Sequence, residues 1–198
     1  MDSCLVGSEM CIRDRLELEK LLTKLEESYH TFLTPTGFGA VFLTLFSILR
    51  PSDELIIADP VYSTTRNLTE KYLKDFQIIA KFYNPNDLST IKKNITKKTK
   101  LIYVENPGSN TFEFQDLGKI LSMAKSKKIY TAIDNTWGTP YFLKPIKLGF
   151  DLSIVSGTKY YSGHSDVMAG SLAVSQRVFR RVLQAHNMTG LRLSLIHI

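Results

Sequence analysis

Six short apolar or strand-rich runs punctuate this chain: ELIIA (54–58), QIIAKF (77–82), LIYV (101–104), IYTAI (129–133), LSIV (152–155) and SLAV (171–174). Near-continuous apolar runs of this length suit strands buried on both faces, which is the condition of a strand in a parallel sheet covered by helices. The intervening segments carry helix signals. The spacing predicts helices over 63–73, 87–94 and 116–126, and one starting at Gln176. Before the first run, LELEKLLTKLEESY sets Leu16, Leu18, Leu21, Leu22 and Leu25 mainly on one helical face, and a helix opens at Gly37 and ends at Leu49 before Arg50-Pro51. Strands alternating with helices in this way imply an α/β fold with a mostly parallel sheet and helices on both faces.

Length and charge narrow the class. A chain of 198 residues supports one domain with a sizeable core. The net charge of +6 is concentrated in Lys92, Lys93, Lys97, Lys98 and Lys100, and in Lys125, Lys127 and Lys128, each cluster directly preceding an apolar run. With no interleaved aromatics or nucleic-acid motif, these read as solvated ends of helices, and no nucleic-acid partner is expected. The longest mainly apolar stretch, Phe38 to Leu49, is too short to span a bilayer, so no membrane partner is expected either. Both cysteines, Cys4 and Cys11, fall in the first eleven residues, which suits a reducing, cytoplasmic setting. The two ends, MDSCLVGSEMCIRDR and LSLIHI, resemble translated sequencing-adapter sequence. Residues 1–15 and 193–198 are therefore expected to be non-native tails around a domain spanning 16–192, with a longer natural protein on both sides.

Ligands of open α/β sheets bind beyond the carboxyl ends of the strands. Polar residues gather at those positions: Asp59 to Tyr62, Glu105 to Asn110, Asp134 to Trp137 and Ser156 to Asp166. Their chemistry matches what pyridoxal 5′-phosphate (PLP) asks of a protein. That cofactor needs a lysine to bond its aldehyde, a carboxylate beside the pyridine nitrogen, an aromatic cover and donors for its phosphate. Lys159 follows LSIV among small, hydroxylated neighbours, where an amine without a salt bridge can serve as nucleophile and base. Asp134 follows IYTAI and would keep the pyridine nitrogen charged, although DNT is also an ordinary turn former. Gly37 opens a helix whose N–H groups could receive a phosphate, with hydroxyls from Ser156 and Thr158. Tyr62 is the candidate ring cover, or plain packing. No metal site is expected.

The runs TPTGFGAV, ADPVYSTTR, LIYVENPGSNTFE, AIDNTWGTPYF and SGTKYYSGHSDVMAGSLAV, in this order over Glu27 to Gly190, resemble the Cys/Met-metabolism family of PLP enzymes. The resemblance implies the large domain of the PLP-dependent transferase-like (aspartate aminotransferase, fold type I) architecture. It implies Lys159 as the Schiff-base lysine, Asp134 at the pyridine nitrogen, Tyr62 on the ring with a share in catalysis, and Gly37, Phe38, Ser156 and Thr158 on the phosphate. It assigns His164 and Asp166 to holding the lysine loop, and implies a homo-oligomer, a dimer of dimers, acting on a sulfur amino acid.

Within the family, Ser109-Asn110, Trp137 and Gly157 stand where γ-acting members usually read Asn-Pro, Phe and Ala, which favours the β-lyase branch. Thr36 replaces a more usual serine and keeps the hydroxyl. The implied reaction is α,β-elimination of cystathionine to homocysteine, pyruvate and ammonia. A γ-acting relative (methionine γ-lyase, cystathionine γ-synthase or γ-lyase) and a non-catalytic regulator on the same fold remain the alternatives. The resemblance also places a tyrosine and arginine for the neighbouring subunit's phosphate upstream of this sequence, and the substrate-carboxylate arginine in a small domain downstream.

Overall fold

The structure, a computed structural model, describes residues 3–193, with side chains from residue 12 onward. The expectations that concern Cys4, Cys11 and 194–198 fall on side chains or residues outside that description.

Seven strands form one sheet: β1 (His30–Thr34), β2 (Glu54–Ala58), β3 (Ile79–Tyr83), β4 (Thr99–Glu105), β5 (Tyr130–Asp134), β6 (Leu152–Val155) and β7 (Gly170–Val174), in the spatial order β1-β7-β6-β5-β4-β2-β3. β2 to β6 are mutually parallel, while β7 is antiparallel to both β6 and β1. Two reversals restore direction, so β1 points the same way as β6. Its carboxyl end therefore reaches the edge where β2, β4, β5 and β6 also end.

Both faces are covered. Alternate residues such as Leu55, Tyr103, Ile154 and Leu172 pack on α2 (Gly37–Ile48) and α9 (Gln176–Thr189). The opposite set, including Ile56, Ile102 and Ile133, packs on α6 (Leu117–Ser126) through Ile120 and Ala124. α1 (Ser3–Glu26) covers that second face beside β1, where Leu22 meets Leu33. The period-2 alternation of strand side chains divides the core this way. The mean apolar content of α2 fits its position, since eight of its twelve residues are buried.

Several elements depart from the sequence expectation. β1 was not foreseen: HTFLT is short and half polar, and it becomes a strand by pairing with β7 from His30↔Val174 to Thr34↔Gly170. Gln77 is not in β3. It adopts φ 60 in the turn before the strand, donating its N–H to the Lys74 carbonyl. The helix expected over 63–73 is α3 (Ser63–Asn67), a π-turn over Leu68–Tyr72 and α4 (Leu73–Asp75). α5 (Ser89–Asn94) between β3 and β4 and α6 between β4 and β5 appear where the sequence put them, but α7 (Thr139–Phe142) and α8 (Pro145–Leu148) between β5 and β6 were not anticipated. The leucine face of α1 also differs. Leu18 and Leu22 face the sheet together with Glu19 and Glu26, whereas Leu16, Leu21 and Leu25 are exposed. The buried stripe follows the i, i+4 positions 18, 22 and 26.

Candidate active site at the carboxyl edge of the sheet

The reversed direction of β7 delivers the first component. β1 ends at Thr34, and after Pro35 the Thr36 side chain caps α2 by accepting the Gly39 N–H at 2.8 Å. The Thr36 carbonyl takes the Ala40 N–H at 3.2 Å. Of the four amides that a helix start leaves without intrahelical partners, those of Gly37 and Phe38 remain uncommitted among the described residues. They sit at the positive end of a twelve-residue helix. Gly37 touches the end of β6: a Cβ built on it would lie 2.6 Å from both Cβ and Oγ of Ser156. The structure thus brings Gly37, Phe38 and Ser156 together. A crevice that only glycine leaves open, with two free amides and a hydroxyl, suits a phosphate.

Ser156 is tied in turn to the next strand, its N–H donating to Thr136 Oγ1 at 2.9 Å, and Thr136 donates its N–H to Asp134 Oδ1 at 3.0 Å. Thr158 is less available. Its hydroxyl donates to the Ala169 carbonyl at 3.3 Å and accepts the Ala169 N–H at 3.2 Å, closing the loop after β6. Lys159 follows in that loop, its side chain exposed and its main-chain N–H donating to the Ser156 carbonyl at 3.0 Å. No salt bridge among the described residues engages its ammonium group. His164, also exposed, has Nδ1 2.8 Å from the Ser162 carbonyl within the same loop. Beneath the loop, Tyr161 donates its hydroxyl to Glu26 Oε1 at 3.1 Å.

Asp134 closes β5 beside the end of β6, its Cα in register with Ile154. It and Lys159 therefore leave adjacent strands at the same edge. Its other neighbour is Glu105, the register partner on β4. Burial raises the pKa of Asp134, partly offset by the Thr136 hydrogen bonds. Burial and the Asp134 charge raise that of Glu105 to about 8, against hydrogen bonds from Tyr62 and Ser109 that lower it. Tyr103, two residues earlier on β4 and on the same face, is fully buried with its hydroxyl unpartnered among the described residues. Orphaned hydroxyls of this kind are uncommon in folded proteins and mark a place where a further polar group fits.

Tyr62 stands across from these residues, before α3, with its ring about half exposed and its main-chain N–H donating to Glu105 Oε2 at 2.7 Å. Trp137 and Phe112 meet edge to face with centroids 5.3 Å apart, and both are exposed at 45% and 54%. Trp137 is therefore a surface ring at this edge and not core packing. Beyond the ends of β2 and β3 a cavity of about 440 Å³ opens between Asp59, Tyr83, Asn84, Thr111 and Glu113. Glu105, Thr136 and Tyr103 were not singled out from the sequence. The strand-end rule that selected Asp134 applies equally to Glu105, while Thr136 and Tyr103 show their place only through contacts across the sheet.

A family model for Cys/Met metabolism PLP-dependent enzymes matches residues 13–196. The chain belongs to this family. It is 34% identical over 161 residues to the cystathionine beta-lyase of Coxiella burnetii, covering 81% of this chain and 41% of that protein. It is 32% identical over 179 residues to the L-methionine gamma-lyase of Pseudomonas putida, covering 89% and 45%. Cystathionine gamma-lyase from Lactobacillus plantarum, solved with L-serine, superposes with a TM-score of 0.88 at 28% identity, over 92% of this chain and 48% of that one. The fold is thus that of the PLP-dependent lyases, and the chain spans a little under half the length of these relatives. The orphaned Tyr103 hydroxyl, the free amides of Gly37 and Phe38 and the crevice against Ser156 fit the family's cofactor. No helix among the described residues is long and apolar enough to cross a membrane, and they contain no cluster of three metal-binding side chains.

Proposed function

We propose that this chain is the cofactor-binding part of a carbon–sulfur lyase, and that the whole protein is a cystathionine β-lyase. With water, cystathionine would be converted to homocysteine, pyruvate and ammonia. The observation that carries this reading is the contact of Gly37 with Ser156, which joins the uncommitted amides of α2 to the strand end from which the Lys159 loop departs.

Gly37, Phe38 and Ser156 would bind the phosphate, with Thr158 holding the loop closed behind them. Asp134 would pair the pyridine nitrogen and Tyr62 would cover the ring. Lys159 would hold the cofactor through its amine. When bound, PLP supplies the electron sink that makes Cα–H and Cβ–S cleavage accessible. The Lys159 amine would also be the group that removes the Cα proton and later returns a proton to the departing sulfur. Tyr62, half exposed at the edge, would orient the substrate.

Ser109-Asn110, Trp137 and Gly157 support the β branch, as does the resemblance to the Coxiella burnetii cystathionine beta-lyase. The second reading is γ-acting, favoured by the similarity to the Pseudomonas putida methionine gamma-lyase and the Lactobacillus plantarum gamma-lyase. We further take the terminal segments 1–15 and 193–198 as non-native tails, and the natural protein as a cytoplasmic homo-oligomer, a dimer of dimers. Cystathionine supplied to the full-length natural protein separates the readings. Pyruvate with homocysteine is the expected result, 2-oxobutyrate would move the assignment to the γ branch, and no product with no yellow absorbance would leave a non-catalytic protein.

A further inference from the structure

Glu105 ends β4 almost completely buried, at 4% exposure, and the mechanism above does not use it. Its two oxygens are divided between two segments. Oε2 accepts the Tyr62 main-chain N–H at 2.7 Å, from the loop after β2, and Oε1 contacts the Ser109 hydroxyl, from the loop after β4. Its side chain shares a face with that of Asp134, the register partner on β5. The charged groups that act on it are Asp134 from β5 and Glu113 from its own connecting loop, both negative, and no cation is among them. Tyr103, whose hydroxyl lies near both carboxyls, supplies no charge.

A buried carboxylate beside a half-buried one, with no cation between them, cannot ionise cheaply while its neighbour is charged. One must keep a proton, and burial taken with the hydrogen bonds indicates which. Asp134 receives the Thr136 N–H and needs no donor of its own. Glu105 Oε2 accepts the Tyr62 N–H, and Oε1 faces the Ser109 segment, whose N–H must be accepted and whose hydroxyl can both give and accept. Glu105 is also the more deeply buried of the two, at 4% exposure, while Asp134 keeps part of its surface open. A neutral acid fits that pair without conflict, its carbonyl oxygen receiving Tyr62 N–H and its O–H donating to Ser109 Oγ.

We propose that Glu105 is a positioning residue that works as an uncharged carboxyl, clasping the Tyr62 main chain and the Ser109 hydroxyl while leaving Asp134 as the one negative charge of the pair. It acts through Tyr62 and Asp134, and for its functional consequence it rests on the reading of those two as ring cover and pyridine partner. The direction of its titration agrees, since burial and the Asp134 charge both favour the protonated form. An ionised Glu105 would add a second negative charge beside Asp134 and repel it. A hydrophobic replacement would release Tyr62 altogether.

Two measurements on the full 198-residue chain test this, using Glu105→Gln and Glu105→Ala. Glutamine reproduces the neutral acid: its carbonyl can accept Tyr62 N–H and its amide can donate to Ser109. In the cofactor-free protein at neutral pH, the infrared difference between wild type and Glu105→Gln is expected to show loss of a protonated carboxylic C=O band. Loss of an ionised carboxylate band instead overturns the proposal. In PLP titrations followed by absorbance and by quenching of Trp137 fluorescence, Glu105→Gln is expected within about twofold of wild type and Glu105→Ala about tenfold weaker or worse. A glutamine variant as impaired as the alanine variant also overturns it. If the alanine variant does not fold, the infrared result on the glutamine variant still decides. If wild type itself binds no PLP, the proposed function fails while the infrared measurement still judges Glu105.

Discussion

Gly37 lies against Ser156 so closely that a Cβ at position 37 would fall 2.6 Å from the serine Cβ and 2.9 Å from its Cα. The first residue of α2 and the first residue beyond β6 thus meet with no room for a side chain, although 119 positions separate them in sequence. Gly37→Ala must push α2 from the strand end. Overpacking of this kind costs roughly 1–3 kcal/mol, and the displaced amides should lower PLP affinity by an order of magnitude or more. Calorimetric melting and a PLP titration measure the two effects. Unchanged values of both would remove the helix start from the site.

Asp134→Asn keeps size and the acceptor for Thr136 N–H but removes the charge. The fold is expected to persist, with a melting temperature close to wild type, while turnover of the full-length protein falls by about two orders of magnitude or more because the ring is no longer held protonated. Steady-state kinetics together with circular dichroism check this. Near-normal turnover would leave Asp134 as a turn former.

Glu26 gives a test of pH dependence away from the site. It is fully buried between the Tyr161 hydroxyl at 3.1 Å and Ser153 Oγ at 3.4 Å, and burial raises its pKa to about 7. The folded state therefore holds a proton that the unfolded chain releases near the ordinary glutamate value. The stabilisation is complete below about pH 4.5 and is lost progressively as pH rises to about 7. Glu26→Gln cannot ionise, so its stability relative to wild type is expected to improve between pH 5 and pH 8 by about 1–3 kcal/mol. Urea unfolding at the two pH values reports the difference. A constant offset would show that Glu26 does not titrate in this range.

Strands β2 and β6 were legible because ELIIA and LSIV are apolar but for Glu54 and Ser153, and a run of that kind has few alternatives to a buried strand. β1 was not, because the half-polar HTFLT is a strand only by virtue of β7, which lies far along the chain. The omission matters for the site, since β1 is what carries Gly37 to the edge where Asp134 and Lys159 end. Candidate cofactor residues could be picked from strand-end position and the family motifs. Their supports could not: Glu105 is joined to Tyr62 across 43 residues and Ser156 to Thr136 across 20, and neither pairing leaves a local pattern. Glu26 shows the same limit in the core, where a charged letter in a helix reads as solvent-facing until the covering Tyr161 is seen.

Lys159 carries the central claim, and one measurement addresses it most directly. The chain is incubated with PLP, reduced with borohydride, digested, and the modified lysine located by mass spectrometry, with Lys159→Ala treated in parallel. The expected result is a single stoichiometric adduct on the Lys159 peptide that disappears in the variant. Adducts spread over exposed lysines such as Lys119, or an adduct that persists in Lys159→Ala, would contradict the assignment.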